Sequence, residues 1–168
     1  NIPVSIAVIP DLKFSRNIAH IGSRCAMSVL IHLPLEPHDA GEYVNDKYEF
    51  VGADLSGFEI EKLMRKYLNS IRIAIGVNNH MGSLATEDAS LMGVVMKSIK
   101  RKNLIFIDSK TSTKSVAYDV AKSQGLTCGY NEGFIDSVDG YQEMKQRLDR
   151  LVKLAEEKGA VIAIAHPK

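Results

Sequence analysis

Five apolar runs in this chain each deliver a histidine or an aspartate at their carboxyl ends. Val29-Leu30-Ile31 leads into His32, Ile73–Val77 into Asn78-Asn79-His80, Leu104–Ile107 into Asp108-Ser109, Phe134-Ile135 into Asp136, and Val161–Ala165 into His166. Imidazole and carboxylate are the common ligands of a hydrolytic divalent metal, and they are also the usual general acids and bases. Glu36, four residues after His32, adds a carboxylate that reads equally as a ligand or as a solvated loop acid. A polar residue after a strand is often only a turn former or the cap of the next helix. That reading stands for Asp136, ahead of Ser137 and Asp139, and for Asp108, ahead of a Ser/Thr-rich turn. Histidine caps poorly and is costly to bury unpaired, so His32, His80 and His166 carry the functional reading. His20 and His38 read as ordinary surface residues.

Such residues converge only if the elements that carry them run in the same direction. The strand candidates are Val4–Ile9, Ala26–Ile31, Ile71–Val77, Leu104–Ile107, Leu126–Cys128, Gly133–Ile135 and Val161–Ala165. Most are continuously apolar, as in parallel strands covered on both faces. Between them, Ile60, Leu63, Met64, Tyr67, Leu68 and Ile71 recur at helical spacing after Ser56, a candidate N-cap. A second helix opens near Thr86 and Asp88 and buries Leu91, Val94, Val95 and Ile99. A third spans Thr113–Gln124 and closes on Gly125, and the last runs Tyr141–Lys158 before Gly159. The stretch His38–Ala53 has no clean period and reads as a long loop. Alternation of this kind predicts an α/β fold with right-handed parallel crossovers, either an open doubly wound sheet or a closed (β/α) barrel. Both collect function at the carboxyl ends of the strands. The turn after the first strand is Ile9-Pro10-Asp11-Leu12-Lys13, with no Gly-rich phosphate loop, so nucleotide binding loses its main support.

Composition removes several classes of function. With Lys+Arg 21 against Asp+Glu 20 there is no electrostatic case for nucleic acid, and no apolar run is long enough to span a membrane. The two cysteines, Cys25 and Cys128, make neither a disulfide framework nor a zinc cluster and are expected as free thiols. The length of 168 residues suits one domain over 1–168. The chain enters a strand directly at Pro3 and stops directly after another, so it reads as an excerpt of a longer protein. A phosphate substrate is disfavoured, because Lys110 and Lys168 are the few basic residues near the proposed face.

The segments Leu30-Ile31-His32-Leu33-Pro34-Leu35-Glu36-Pro37, Gly76-Val77-Asn78-Asn79-His80-Met81-Gly82-Ser83, Phe106-Ile107-Asp108-Ser109-Lys110-Thr111 and Ala163-Ile164-Ala165-His166-Pro167 resemble, in order and spacing, the signatures of the divergent polysaccharide deacetylases. These are YibQ-type relatives of the NodB-like carbohydrate esterases. The resemblance covers nearly the whole chain and implies a distorted (β/α) barrel, lacking here its first strand. It also implies a metal-dependent, carbohydrate-directed, extracytoplasmic domain that removes acetyl groups from a polysaccharide. On that basis a divalent ion, zinc first, falls to His32, His80 and Glu36. Glu36 stands where the esterases carry a second histidine, and their Asp-Asp motif would lie before Pro3. His166 becomes the proton donor, Asp108 its orienting acid, and Asn78, Asn79 and Asp136 contacts to substrate. The alternative expectation is a catalytically inactive glycan-binding or envelope interaction module, favoured by the departure at Glu36.

Overall fold

The computed structural model describes residues 3–43 and 48–167, which fall into two compact units divided between Cys128 and Gly129. Strands and helices alternate throughout. The first unit carries β1 (Ser5–Val8), α1 (Ser15–Arg24), β2 (Ser28–Leu35), α2 (Gly57–Ser70), β3 (Gly76–Met81), α3 (Ala89–Lys100), β4 (Ile105–Asp108) and α4 (Ala117–Ser123). Short 3-10 turns at Ala40–Tyr43 and Ala85–Glu87 follow β2 and β3. Its four strands pair in parallel in the order β1-β2-β3-β4. In the second unit β5 (Cys128–Phe134) and β6 (Ile162–Ile164) pair in parallel on either side of α5 (Tyr141–Lys158) in sequence. The expected α/β class with parallel strands is the class observed.

Local chemistry explains the helices. Ser56 and Glu59 close a capping box at the start of α2, which buries Ile60, Leu63, Met64, Tyr67 and Leu68. Asp88 accepts from the amides of Ser90 and Leu91 and starts α3, whose buried side holds Leu91, Met92, Val95, Met96 and Ile99. Three helices end in the same way. After α1, α3 and α4 the chain turns through a left-handed residue, with the paired backbone bonds of a Schellman motif. The left-handed residue is Ala26 (φ 59°), Asn103 (φ 54°) and Gly125 (φ 73°) respectively. Helix α1 is inverted relative to the others: its small residues Ser15, Ala19 and Gly22 face inward and Phe14, Ile18 and Ile21 face out. The close approach requires Gly22, where a Cβ would come within 2.7 Å of Ile6 Cγ2.

Two strands differ from the sequence expectation, and the difference matters for the site. β2 does not stop at Ile31 but continues through His32 and Pro34 to Leu35. β3 begins only at Gly76 and contains Asn78, Asn79 and His80, while Ile71–Ile75 lies ahead of it. Apolar content alone misplaced both strands, because six register pairs from Leu30↔Gly76 to Leu35↔Met81 override the missing amide of Pro34 and the poor strand propensity of asparagine. Helix α4 is shorter than Thr113–Gln124, since residues 112–116 are drawn into a turn around Asp108. The two expected strands Leu126–Cys128 and Gly133–Ile135 are one strand, β5, with a register shift between Asn131 and Gly133. Both cysteines are free. Among the described residues no helix is long and apolar enough to cross a membrane. Part of the His38–Ala53 stretch, and Lys168, lie outside the described residues.

Candidate functional site

The register of β2 on β3 sets His32 beside Asn78 and Pro34 beside His80, so both imidazoles stand on the same sheet face, while Leu33 and Leu35 alternate into the core. His80 Nδ1 lies 3.1 Å from His32 Nε2, and the rings meet edge to face at 4.8 Å. His32 Nδ1 lies 3.1 Å from Asn78 Oδ1, and the Tyr48 hydroxyl lies 2.8 Å from His80 Nε2.

The direction of these bonds follows from the far end of the network. Asn78 Nδ2 donates to Ser109 Oγ, and Ser109 gives its own hydrogen to the Asn79 carbonyl. The atom that Asn78 turns toward His32 is therefore its carbonyl oxygen, which can only accept. His32 must then carry its proton on Nδ1 and, when neutral, point the Nε2 lone pair at His80. His80 donates from Nδ1 and accepts at Nε2 from Tyr48.

Asn79 is engaged as thoroughly. Its Oδ1 accepts from the Ser109 amide, and its Nδ2 donates to the Met81 carbonyl and to Thr111. Asn78 and Asn79 are both buried, so the structure makes them parts of the scaffold under the imidazoles, where the sequence suggested contacts to substrate. Asp108 is fully buried. Its carboxylate accepts from the Lys110 amide and ammonium, from the Ser115 hydroxyl and from the Tyr118 amide. It organises the turn that leads into α4. Lys110, considered earlier as a basic residue near the face, is tied to that carboxylate. Glu36 takes the Ala53 amide on Oε2, and its carbonyl accepts from the amides of Leu84 and Ala85, so it binds the two neighbouring loops together.

In the second unit, His166 follows β6 and is held by Asp136. One carboxylate oxygen, Oδ2, accepts from the His166 amide at 3.1 Å and from its Nδ1 at 3.0 Å, while the ring stacks on Phe134. The acid that orients His166 is thus Asp136, where the family resemblance pointed to Asp108. Burial pushes the Asp136 carboxyl up, but the bonds from His166 outweigh it and hold the group below its ordinary value. The other oxygen, Oδ1, is buried with no hydrogen-bond partner among the described residues. The His166 side chain is 56% exposed.

The sequence reading missed Tyr48 and the residue that holds it. Tyr67 on α2 is fully buried, and its hydroxyl both accepts from the Glu49 amide and donates to the Glu49 carbonyl. That clasp fixes the segment on which Tyr48 and Phe50 stand, ring against ring, beside His80. Tyr67 was legible only as a core residue at helical spacing, and Tyr48 lay in a stretch without period. His38, read as a surface residue, bonds Glu87, whose carboxyl is held low first by the Ser112 hydroxyl and then by His38. A cleft of about 470 Å³ between α1 and the residues after α2, lined by Arg16, His20, Asn69 and Arg72 among others, shares no lining residue with the imidazole pair.

The pair offers a metal at most two nitrogens, which are hydrogen-bonded to each other here. Two nitrogens bound to one tetrahedral zinc at 2.0–2.1 Å stand roughly 3.3 Å apart, close to the spacing observed here. Among the described residues no group of three His, Cys, Asp or Glu is arranged to hold an ion, and Glu36 does not complete one.

An uncharacterized protein of Haemophilus influenzae is 33% identical over 165 residues, covering 98% of this chain and 58% of its own length. The uncharacterized protein YibQ of Escherichia coli is 32% identical over 164 residues, again 98% of this chain and 50% of its own. The chain thus spans about half the length of these relatives. The crystal structure of the uncharacterized protein ATU2773 from Agrobacterium tumefaciens C58 superposes with a TM-score of 0.89 at 21% identity. It covers 96% of this chain and 65% of that one, and shows the same fold. Residues 1–168 match throughout the family described as divergent polysaccharide deacetylase, and to that family this chain belongs.

Proposed function

We propose that the chain is part of a metal-dependent hydrolase that removes acetyl groups from a polysaccharide outside the cytoplasm. The observation that carries the reading is the pair of strand-borne imidazoles, His32 and His80, facing each other at 3.1 Å in a family named for deacetylation. A zinc ion held there would polarise an acetyl carbonyl and lower the pKa of water. The residues do the rest. Asn78, locked by Ser109, keeps His32 in one tautomer and one orientation. In the second unit Asp136 holds the His166 ring by Nδ1 and so fixes its orientation, the arrangement of an imidazole that hands a proton on from its other nitrogen.

A second reading, a glycan-binding module without activity, is favoured by Glu36, which is engaged by Ala53 and brings no third ligand to the pair. Zinc content and acetate release by the purified full-length protein separate the two. Bound zinc with acetate release supports the hydrolase. Glycan binding with neither supports the module and removes the hydrolase reading.

A further inference from the structure

We infer that the cleft between α1 and the residues after α2 is a binding site for an acidic sugar, whose anionic group meets Arg16 and Arg72. The choice of a sugar rests on the carbohydrate-directed reading above, while the anion site stands on the residues of the cleft. The cleft holds about 470 Å³, a volume suited to a small organic ligand. Arg16, His20 and Arg72 line it and no acidic residue does. None of the three is paired with a carboxylate among the described residues. A neighbouring cleft of about 280 Å³ shares Arg16 and Ser70 and adds Lys13. Its one acid, Asp11, is engaged by Lys66 at 2.8 Å. A concave surface that carries charge of one sign concentrates its field on a ligand of the other.

Two features set this cleft apart from a solvated basic surface. Arg16 Nε donates to the Ser70 carbonyl at 3.2 Å, which anchors the guanidinium and leaves its Nη donors for a ligand. A planar fork held in this way matches the two oxygens of a carboxylate or a phosphate. Beside the cations the lining is aliphatic: Ala19 and Ile71 are buried, and Ile73 is 36% exposed. An apolar wall next to an anchored arginine suits a ligand with a C–H face and an anionic substituent. A uronate and a sugar phosphate each carry both.

Calorimetric titration of the full-length protein at low ionic strength tests the inference, with glucuronate, glucose 6-phosphate, inorganic phosphate and neutral glucose as probes. Glucuronate or glucose 6-phosphate should bind at least about 10-fold more tightly than glucose, with amide shifts centred on residues 16–20 and 69–73. The tighter of the two identifies the anionic group. Arg16→Gln and Arg72→Gln should each weaken binding by about 10-fold, and Arg16→Lys, which keeps the charge without the fork, should not restore it. Should loss of the Ser70 bond unfold Arg16→Gln, the exposed Arg72 still carries the test. Lys97→Gln, an equal loss of charge on α3 outside the cleft, should leave the affinity unchanged. Failure of both acidic sugars to bind, affinity matched by inorganic phosphate, or an equal loss in Lys97→Gln overturns the inference. Acetate release from a polysaccharide by the same protein would leave the hydrolase reading standing in each of those cases.

Discussion

The two units use histidine in opposite settings. In the first, His32 and His80 sit inside adjacent central strands, bonded to each other and backed by a buried scaffold of Asn78, Asn79, Ser109 and Thr111. In the second, His166 lies beyond the end of a strand, mostly exposed, held by one carboxylate and one aromatic face. The first arrangement fixes both rings, which is consistent with the proposed ligand role. The second fixes one nitrogen, which is consistent with the proposed proton donor. The aspartates follow the same division: Asp108 is fully buried with its carboxylate accepting several hydrogen bonds, while Asp136 keeps one oxygen without a partner among the described residues.

The contrast breaks most visibly at the imidazole pair. His32→Ala and His80→Ala should each abolish stoichiometric zinc uptake and with it turnover, whereas His166→Ala should keep the zinc and lose on the order of 10²- to 10⁴-fold in kcat. Metal analysis beside steady-state kinetics reads both, and loss of zinc in His166→Ala would erase the distinction. The next largest effect divides the aspartates. Asp108→Ala removes the buried acceptor shared by the Lys110 ammonium, the Ser115 hydroxyl and the Tyr118 amide, and should cost about 3–5 kcal/mol in denaturant unfolding. Asp136→Asn should change stability by less than about 1 kcal/mol, since its partner is exposed, while moving the pH profile of turnover.

A smaller effect appears on acidification. The Asp136 carboxyl lies lower in the folded chain than its ordinary 3.8, so the stability it contributes is fully present above that value. That contribution is lost only as the pH falls through the lower folded value. The ring of His166, followed by NMR, should therefore stay in place at pH 5. Release of the ring well above pH 4 would contradict the assignment. The smallest effect lies away from both sites. Ala26→Gly relieves a left-handed alanine at the end of α1 and should add about 1 kcal/mol, or 2–4 °C in Tm, whereas Gly125→Ala should lose a similar amount.

Much of this was legible in the sequence, for reasons that can be named. Periodicity placed α2, α3 and α5, because each has a one-sided apolar stripe and a cap or stop residue. The histidines were also legible as residues to follow, since histidine after an apolar run is hard to explain as a cap, and the structure brings His32 to His80 and His166 to Asp136. Strand boundaries were not. His32 and His80 looked like residues after strands because Pro34 and the two asparagines argue against a strand on propensity, yet cross-strand pairing decided the matter. The choice between Asp108 and Asp136 was not legible either. Both follow apolar strands before polar turns, and only the fold shows that Ser115 and Lys110 occupy the first while His166 meets the second. Tyr48 carried no signal at all, because its value comes from the Tyr67 clasp, a contact between residues 18 apart on the neighbouring backbone.

The committed hydrogen of Ser109 has a consequence for inheritance. Because that hydrogen goes to the Asn79 carbonyl, Ser109 can receive but not return the Asn78 amide, and this one direction propagates to the tautomer of His32. Positions 32, 78 and 109 therefore form a single heritable character spread over three strands' worth of sequence. Lineages that lose the serine or the asparagine should lose the histidine soon after.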